Sequence, residues 1–319
     1  MKKILLSEKY RKFPKRFVVD KYIRDVDSPI PNSSSARKNY LVPLVIADYG
    51  SMLARFKQVK HIRKTLFGAL SEMAKGARSI LQNPYRGKKT IDSAFLKELE
   101  SYAHTLGVTD IGYTPVNPDY IFQDYQILFP NAIVFSMEMD KQKMHLAPSL
   151  PSFVEIFRTY YQLGVVVNKV AAFLRDHGYN AHPSPAICGD VNYVPVAIDA
   201  GLGKSGKSGL LITPNNGPRV RLAAVFTDIE NLPFAEENPH GWVRDYCETC
   251  NNCIQKCPAD AIFPETRSHE DGGPIFIDHT KCAGPFSNDN GCSLCIKYCP
   301  FSYADYETLK NKFMQMEPV

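Results

Sequence analysis

Eight of the nine cysteines in this 319-residue chain lie in two runs near its C-terminal end. Each run finishes with Cys-x3-Cys-Pro, and the first has two residues between its earlier thiols, a spacing typical of [4Fe–4S] ligation. Such short gaps let a tight turn point successive sulfurs at one cube, while the fourth cysteine ligates the other cube. The spacing predicts one cluster on Cys247, Cys250, Cys253 and Cys299, and a second on Cys282, Cys292, Cys295 and Cys257.

Two other structures use paired cysteines, namely a disulfide-stapled module and a zinc site. Neither explains two Cys-x3-Cys-Pro endings. The second run departs from the pattern because nine residues, 283–291, separate Cys282 from Cys292, so Cys282 is the ligand with the least support. Cys188 stands alone, and we expect a buried thiol with no cofactor role.

Composition favours a globular protein of about two domains, since 44% of residues are hydrophobic and 22% are charged. The net charge is +5, with basic residues concentrated before position 90, which we interpret as a solvated helix face and not as a nucleic-acid site. The first seventeen residues lack the apolar stretch of a signal peptide, and no run of about twenty apolar residues could cross a bilayer. The expectation is a cytoplasmic protein without a membrane span.

Apolar residues recur at three- and four-residue steps in several segments, which indicates amphipathic helices, and shorter apolar runs indicate buried strands. Helices followed by strands imply a layered fold with a central sheet. Residues 1–50 contain Pro29, Pro31 and a serine run, and we expect an irregular arm there. The predicted helices are 51–81, 91–105 and 152–177, and the predicted strands are 108–113 and 132–137.

The glycine-rich segment 201–208 formally matches both the phosphate-binding P-loop and the dinucleotide GxGxxG pattern. Both motifs must open a helix, because the helix N-terminus holds the phosphate. Here the residues that follow the segment indicate a strand, a turn and a second strand. A helix that began at Ser208 would meet Pro214 within two turns, and proline disrupts a helix interior. We therefore predict that the loop lies against a large flat ligand, which glycine allows to approach closely. The candidate cofactor contacts are Gly201, Leu202, Gly203, Gly206, Gly209 and Leu210.

The second half of the chain resembles the cobalamin-dependent reductive dehalogenases, with similarity from about residue 99 to 303. The related epoxyqueuosine reductases share the same cofactor plan, but the chain has no counterpart of an Arg-Gly-Arg-Asp-Tyr-His stretch that we associate with them. The dehalogenase-like branch is thus the better match. The segments that carry the resemblance are 200–203, 209–214, 217–222, 225–228 and 246–250.

The resemblance implies an α+β fold, with a nitroreductase-like α/β core that binds cobalamin followed by a ferredoxin-like domain with two [4Fe–4S] clusters. It implies an N-terminal arm and helical segment at 1–85, the corrinoid-binding domain at 86–236 and the ferredoxin-like domain at 237–319. The expected activity is that of an oxidoreductase in which the clusters reduce cobalamin, which then acts on an organic substrate, halogenated in the family. The expected partner is a low-potential electron donor of the ferredoxin or flavodoxin type.

In this family a tyrosine that follows a strand like 108–113 donates a proton, and Tyr120 falls in that frame, with Tyr125 as the reserve. A lysine or arginine accompanies the tyrosine in the family. At the corresponding position of this chain, after residues 178–181, the sequence instead has His182. A cationic histidine could do the same work or relay a proton, and an ordinary surface histidine is the alternative. Two other functions stay open: epoxide reduction on transfer RNA, and electron transfer by a ferredoxin-type or corrinoid-reducing protein.

Overall fold

The computed structural model describes residues 19–33, 39, 42–269 and 273–315. The helices are α1 Val42–Tyr49, α2 Met52–Ser79, α3 Ser93–Thr105, α4 Lys141–His145, α5 Leu150–Asp176, α6 Tyr193–Asp199, α7 Trp242–Cys250, α8 Asn252–Gln255, α9 His279–Asn288, α10 Leu294–Lys297 and α11 Tyr306–Gln315. The strands are β1 Ile30–Pro31, β2 Asp110–Pro115, β3 Gln126–Ile127, β4 Asn131–Glu138, β5 His182–Ser184, β6 Lys204–Ser205, β7 Leu211–Ile212, β8 Val220–Thr227, β9 Ile262–Ser268 and β10 Pro274–Ile277.

A four-stranded antiparallel sheet lies at the centre, in the order β2, β4, β8, β5. Strands β4 and β8 are buried on both faces, because alternate side chains enter two separate cores. Ile133 and Val225 enter a core with α5, whereas Ala132 and Phe226 enter a core with α6. The predicted central sheet and mixed helix and strand content are confirmed.

The three predicted helices are confirmed, and local sequence explains where each begins and ends. The Ser51 side chain caps α2, Asp92 caps α3, and Ser149 forms a capping box with Ser152 at the start of α5. Gly107 and Gly178 follow α3 and α5 with φ of 93° and 86°, a conformation that glycine adopts at little cost and that ends the helix.

The expectation of an irregular arm over 1–50 is wrong for part of that range. Residues Val42–Tyr49 form helix α1, and β1 pairs with β3. Pro43 lies in the first turn of α1, where its missing N–H is not needed for the helix. Residues 1–18 lie outside the described residues. Among the described residues, no helix combines the length and apolar character that a membrane span requires.

Candidate functional site

Four thiols that the sequence assigns to one cluster surround a single small cavity in the C-terminal part. Helix α7 ends at Cys250, and Asn251 interrupts it with a left-handed φ of 53° so that α8 begins at once and carries Cys253. Cys299 reaches the same cavity from the second run. The other walls are Gly206, Lys207, Ser208, Ile212, Tyr246, Asn251, Asn252, Cys295, Pro300 and Phe301, and the four thiols are Cys247, Cys250, Cys253 and Cys299.

The four thiols assigned to the second cluster also lie close enough to one another to interact electrostatically. Burial raises the pKa of Cys282 to about 11, with further contributions from Cys292 and Cys257. Burial likewise raises the pKa of Cys295 to about 12, and Cys282 and Cys292 are its next contributors. The nine-residue gap after Cys282 is spanned by helix α9 and a turn in which Cys292 has a φ of 41°. The structure therefore brings Cys282 to the second group.

The first four thiols stand on the walls of a cavity, and ligation of a multi-atom cluster requires such a space between the sulfurs. Within the described ranges, no three His, Cys, Asp or Glu side chains lie close enough to share a single metal ion.

A larger open cavity of about 370 Å³ lies next to the first cysteine group. Strand β2 contributes Ile111, helix α3 contributes His104, and the glycine-rich segment contributes Gly201. We call this cavity the cleft. Its full lining is Glu100, His104, Thr109, Asp110, Ile111, Gly201, Leu202, Pro214, Asn215 and His240.

The glycine-rich segment contains strand β6, which pairs with β7. The strand, turn and strand predicted after it are confirmed as β7, the turn between Thr213 and Gly217, and β8. No helix starts at Ser208, so the geometry of a phosphate-binding loop is absent from this described segment. The Lys207 ammonium lies 2.9 Å from Glu248 Oε2 and donates to Asn251 Oδ1 at 3.0 Å. Lys207 thus belongs to the cysteine cavity.

The six residues predicted to contact a flat ligand lie in several different surroundings, and their contact with a ligand stays a prediction. Only Gly201 and Leu202 line the cleft, whereas Gly206 lines the cysteine cavity. A Cβ on Gly203 would lie 2.1 Å from the Ile212 carbonyl oxygen, and one on Gly209 would lie 2.9 Å from Phe276. Leu210 packs in the core with Phe153. These glycines allow close packing of the protein on itself.

Tyr120 ends a 3-10 turn that follows β2, and its side chain interacts electrostatically with Asp199. Burial, followed by the interaction with Asp199, raises the pKa of Tyr120 to about 12. Asp199 is two residues before Gly201, so Tyr120 is close to the cleft in the fold without lining it. Tyr125 is also half-buried, and burial raises its pKa as well.

His182 is fully buried in strand β5, so it is not a surface residue. Its Nδ1 accepts a hydrogen bond from the Leu128 backbone N–H at 3.3 Å, and its Nε2 lies 3.5 Å from Asp190 Oδ2. Burial lowers the pKa of His182 to about 3, with a smaller contribution from Arg175. Burial disfavours a cationic His182, whereas the Asp190 carboxyl beside Nε2 could balance its charge, so the role of His182 stays a prediction.

A buried polar network beside these residues was not predicted. The Ser184 hydroxyl lies 2.6 Å from both Asp190 Oδ2 and the Tyr193 hydroxyl. The backbone next to Asp190 pairs with the segment after Tyr120, because the Asn192 N–H donates to the Tyr120 carbonyl at 2.8 Å. His104, Asp110 and His240 of the cleft were missed too. His104 and Asp110 lie on consecutive elements, but His240 lies far along the chain, and no local spacing connects all three.

The chain is similar to characterised reductases, although no protein-family model matches it. It is 36% identical over 214 residues to a tetrachloroethene reductive dehalogenase of Desulfitobacterium hafniense, a match that covers 61% of this chain and 37% of that protein. It is 24% identical over 262 residues to an epoxyqueuosine reductase of Listeria monocytogenes, covering 67% of both. The chain thus spans well under half the length of the dehalogenase.

Its fold is also similar to that of a solved reductive dehalogenase whose structure suggests a mechanism for B12-dependent dehalogenation. The TM-score is 0.66 at 19% sequence identity, covering 96% of this chain and 48% of that one. This likeness concerns the fold alone, whereas the 36% identity concerns the sequence itself. The chain is thus similar to the reductive dehalogenases in part of its sequence and in its fold.

Proposed function

We propose that the chain is a corrinoid- and iron–sulfur-dependent reductase, in which two [4Fe–4S] clusters supply electrons to cobalamin in the cleft for reduction of an organic, halogenated substrate. The proposal includes a nitroreductase-like corrinoid-binding domain at 86–236 and a ferredoxin-like domain at 237–319. The observation that carries it is the wall between the two cavities. Ile212 lines the cysteine cavity and Pro214 lines the cleft. Their Cα atoms cannot be more than about 7 Å apart, because only two peptide units join them.

The cysteine groups fit the clusters in number and arrangement. One group of four thiols surrounds a cavity, and the other four influence one another's charge. Cys295 of the second group also lines the cavity of the first, so the two groups are neighbours. A positive charge adds to the fit, since the buried Lys207 side chain lines the cavity of the first group. Hydrogen bonds to sulfur and nearby positive charge are among the features that set the potential of a cluster.

The cleft fits one part of a corrinoid. Gly201 presents no side chain, while Ile111, Leu202 and Pro214 provide apolar contact for a ring face. Asp110 and Asn215 are hydrogen-bonded to each other at the rim, where polar side chains could meet ring amides. A bound corrinoid would supply the low-potential redox chemistry, and the protein would supply position and protons.

Tyr120 is the proposed proton donor. Its raised pKa keeps the phenol protonated at neutral pH, so it would release the proton only to a strongly basic centre. Asp199 interacts with this side chain and would orient its hydroxyl. His182 would act through its buried contacts, since its Nδ1 accepts from the Leu128 N–H and its Nε2 lies 3.5 Å from Asp190 Oδ2.

Anaerobic reconstitution with iron, sulfide and cobalamin tests the proposal. Two cubes require about eight irons and eight sulfides per chain, with a visible spectrum of bound corrinoid. The Cys282→Ser variant should lose about half the iron, and Cys188→Ser, which removes the one thiol outside the two groups, should lose none. Zinc in place of iron, or no corrinoid retained by fully iron-loaded protein, would refute the proposal.

The similarity to the Listeria epoxyqueuosine reductase supports a second candidate, epoxide reduction on transfer RNA. This second candidate function uses the same cofactors as the first and differs in the substrate. Transfer-RNA binding that weakens steeply with salt, together with reduction of an epoxyqueuosine-containing stem-loop, would favour it. A ferredoxin-type electron-transfer or corrinoid-reducing protein would consume neither kind of substrate.

A further inference from the structure

Helix α2 buries one face and leaves the other open to solvent along its first half. Ala54, Ile62 and Ala69 are buried at steps of eight and seven residues, which is about two helical turns, as expected for a helix packed on one side. Large apolar side chains nevertheless lie on the solvent side, with Phe67 72% exposed and Val59 39% exposed. Exposed apolar side chains grouped in one place often mark an interaction surface.

The charges on this exposed side have a single sign. Lys57, Lys60, Arg63 and Lys64 are all exposed, and no Asp or Glu occurs between Met52 and Ser71. Among the residues that the structure describes, no carboxylate pairs with these four side chains. By contrast, Lys75 further along α2 pairs with Glu72 at 2.6 Å. We call Lys57, Val59, Lys60, Arg63, Lys64 and Phe67 the basic face.

The start of α2 is fixed to the helix that carries Cys282. The Ser51 N–H donates to Asn288 Oδ1 of α9 at 2.8 Å, and Asn288 Nδ2 donates to the Tyr49 carbonyl at 3.1 Å. Ser287 of α9 donates to the Val45 carbonyl at 3.2 Å. Lys60 is eight residues beyond Met52, which is about 12 Å along a helix. The basic face therefore begins within about two helical turns of the point where α2 is fixed to α9, the helix that carries Cys282.

We propose that the basic face docks an acidic electron-donor protein that reduces the second cluster, an inference that rests on the proposed function. Positive charges steer an acidic carrier to this side of the molecule, and Phe67 and Val59 give the short-lived complex its apolar contact. Such a small surface with a charged rim is typical of transient redox partners.

The position of the face favours a protein donor over an anionic lipid surface. A membrane would also attract a basic helix with exposed apolar residues. However, a lipid surface offers no reason for the face to lie against α9, whereas a donor must come close to Cys282. The lipid interpretation is therefore kept as an outcome of the test.

The test compares two doubly substituted, cluster-loaded proteins of equal net charge. Lys60→Glu/Lys64→Glu reverses the basic face, and Lys97→Glu/Lys169→Glu reverses two exposed lysines on α3 and α5. Reduction of the clusters is followed by the loss of visible absorbance after mixing with a reduced, acidic two-cluster ferredoxin. Dithionite, which needs no docking surface, serves as the small reductant.

At low salt the basic-face variant should accept electrons from ferredoxin about tenfold more slowly than the wild type, since steering changes association rates by roughly 10–10³-fold. The control variant should change less than twofold, the difference should shrink at high salt, and dithionite should reduce all three proteins equally. Equal ferredoxin rates for both variants would overturn the docking proposal. The docking proposal would also be overturned if the basic-face variant kept its ferredoxin rate and lost binding to phosphatidylserine vesicles. Clusters that dithionite cannot reduce would instead count against the proposed function.

Discussion

Asp190 is a buried carboxylate whose replacement gives a quantitative test of the network around the candidate tyrosines. The residue is 6% exposed, and the Ser184 hydroxyl donates to its Oδ2. Burial raises the pKa of Asp190 from 3.8 to about 7, although the hydrogen bond from Ser184 opposes the shift. His182 Nε2 lies 3.5 Å from Asp190 Oδ2, and the other titratable groups that interact with Asp190 include Asp20, Cys188 and Tyr193.

The sign of the effect follows from proton binding. Between pH 3.8 and about 7 the folded protein binds a proton at Asp190 that the unfolded chain does not, so stability falls as the pH rises through this window. One pKa unit corresponds to about 1.4 kcal/mol, and the interval from pH 5 to 7 therefore costs the wild type about 3 kcal/mol. The Asp190→Asn variant keeps an oxygen acceptor for Ser184 but cannot ionise. The stability of the variant relative to the wild type should rise by about 3 kcal/mol between pH 5 and pH 8.

Urea unfolding of equally cluster-loaded proteins under anaerobic conditions measures this difference. The lowered pKa of His182 gives stability an opposite trend with pH below 6.5. This trend is present in both proteins and cancels in the difference between their stabilities. Asp25→Asn, at an exposed position, serves as the matched control and should show no such change. Carbon-13 NMR of labelled aspartate provides a second readout that does not depend on unfolding. A pH-independent difference, or an Asp190 carboxyl that titrates near 4, would show the reasoning to be wrong.

Three further predictions concern the proposed reaction and its cofactors. Tyr120→Phe should lower substrate turnover by roughly 10²–10⁴-fold at normal iron and cobalamin content, as loss of a general acid does, and undiminished turnover would direct attention to Tyr125. Lys207→Met should make the first cluster harder to reduce in a potentiometric titration, because it removes a buried positive charge from the cysteine cavity. Tight ATP binding by the wild type that disappears in this variant would contradict our assignment of Lys207 to the cysteine cavity. Gly203→Ala should reduce the yield of folded, iron-loaded protein, since its Cβ would lie 2.1 Å from the Ile212 oxygen, whereas Gly284→Ala, where nothing lies within 4 Å, should not.

The sequence predicted the elements whose signals are local. Helix α5 is an example, because its apolar periodicity, its serine cap and Gly178 all lie within one continuous segment. The cysteine groups were predictable for the same reason, since ligand spacing within each run is short. Only the crossing of Cys299 to the other run needed knowledge of how such runs pair.

Burial produced by long-range pairing could not be predicted in this way. His182 lies in a three-residue strand, and its burial depends on pairing with Phe226, 44 positions further along the chain. The sequence does not distinguish a neutral histidine from a charged one, so no residue near His182 in the chain argued against its interpretation as a cation. The glycines of the 201–209 loop have the same ambiguity. Glycine signals close approach, but only the fold identifies Ile212 and Phe276 as the groups that approach.

The arrangement of the two cysteine groups gives the proposed electron path a direction. The second group includes Cys282 on α9, the helix to which the start of α2 and its basic face are attached. The first group shares a wall with the cleft through Ile212 and Pro214. Cys295 connects the two groups, since it belongs to one and lines the cavity of the other. An electron donated at the basic face would therefore reach the second cluster first and the cleft last. Substituting Cys282 should consequently block reduction by a protein donor while a small reductant still reduces the first cluster.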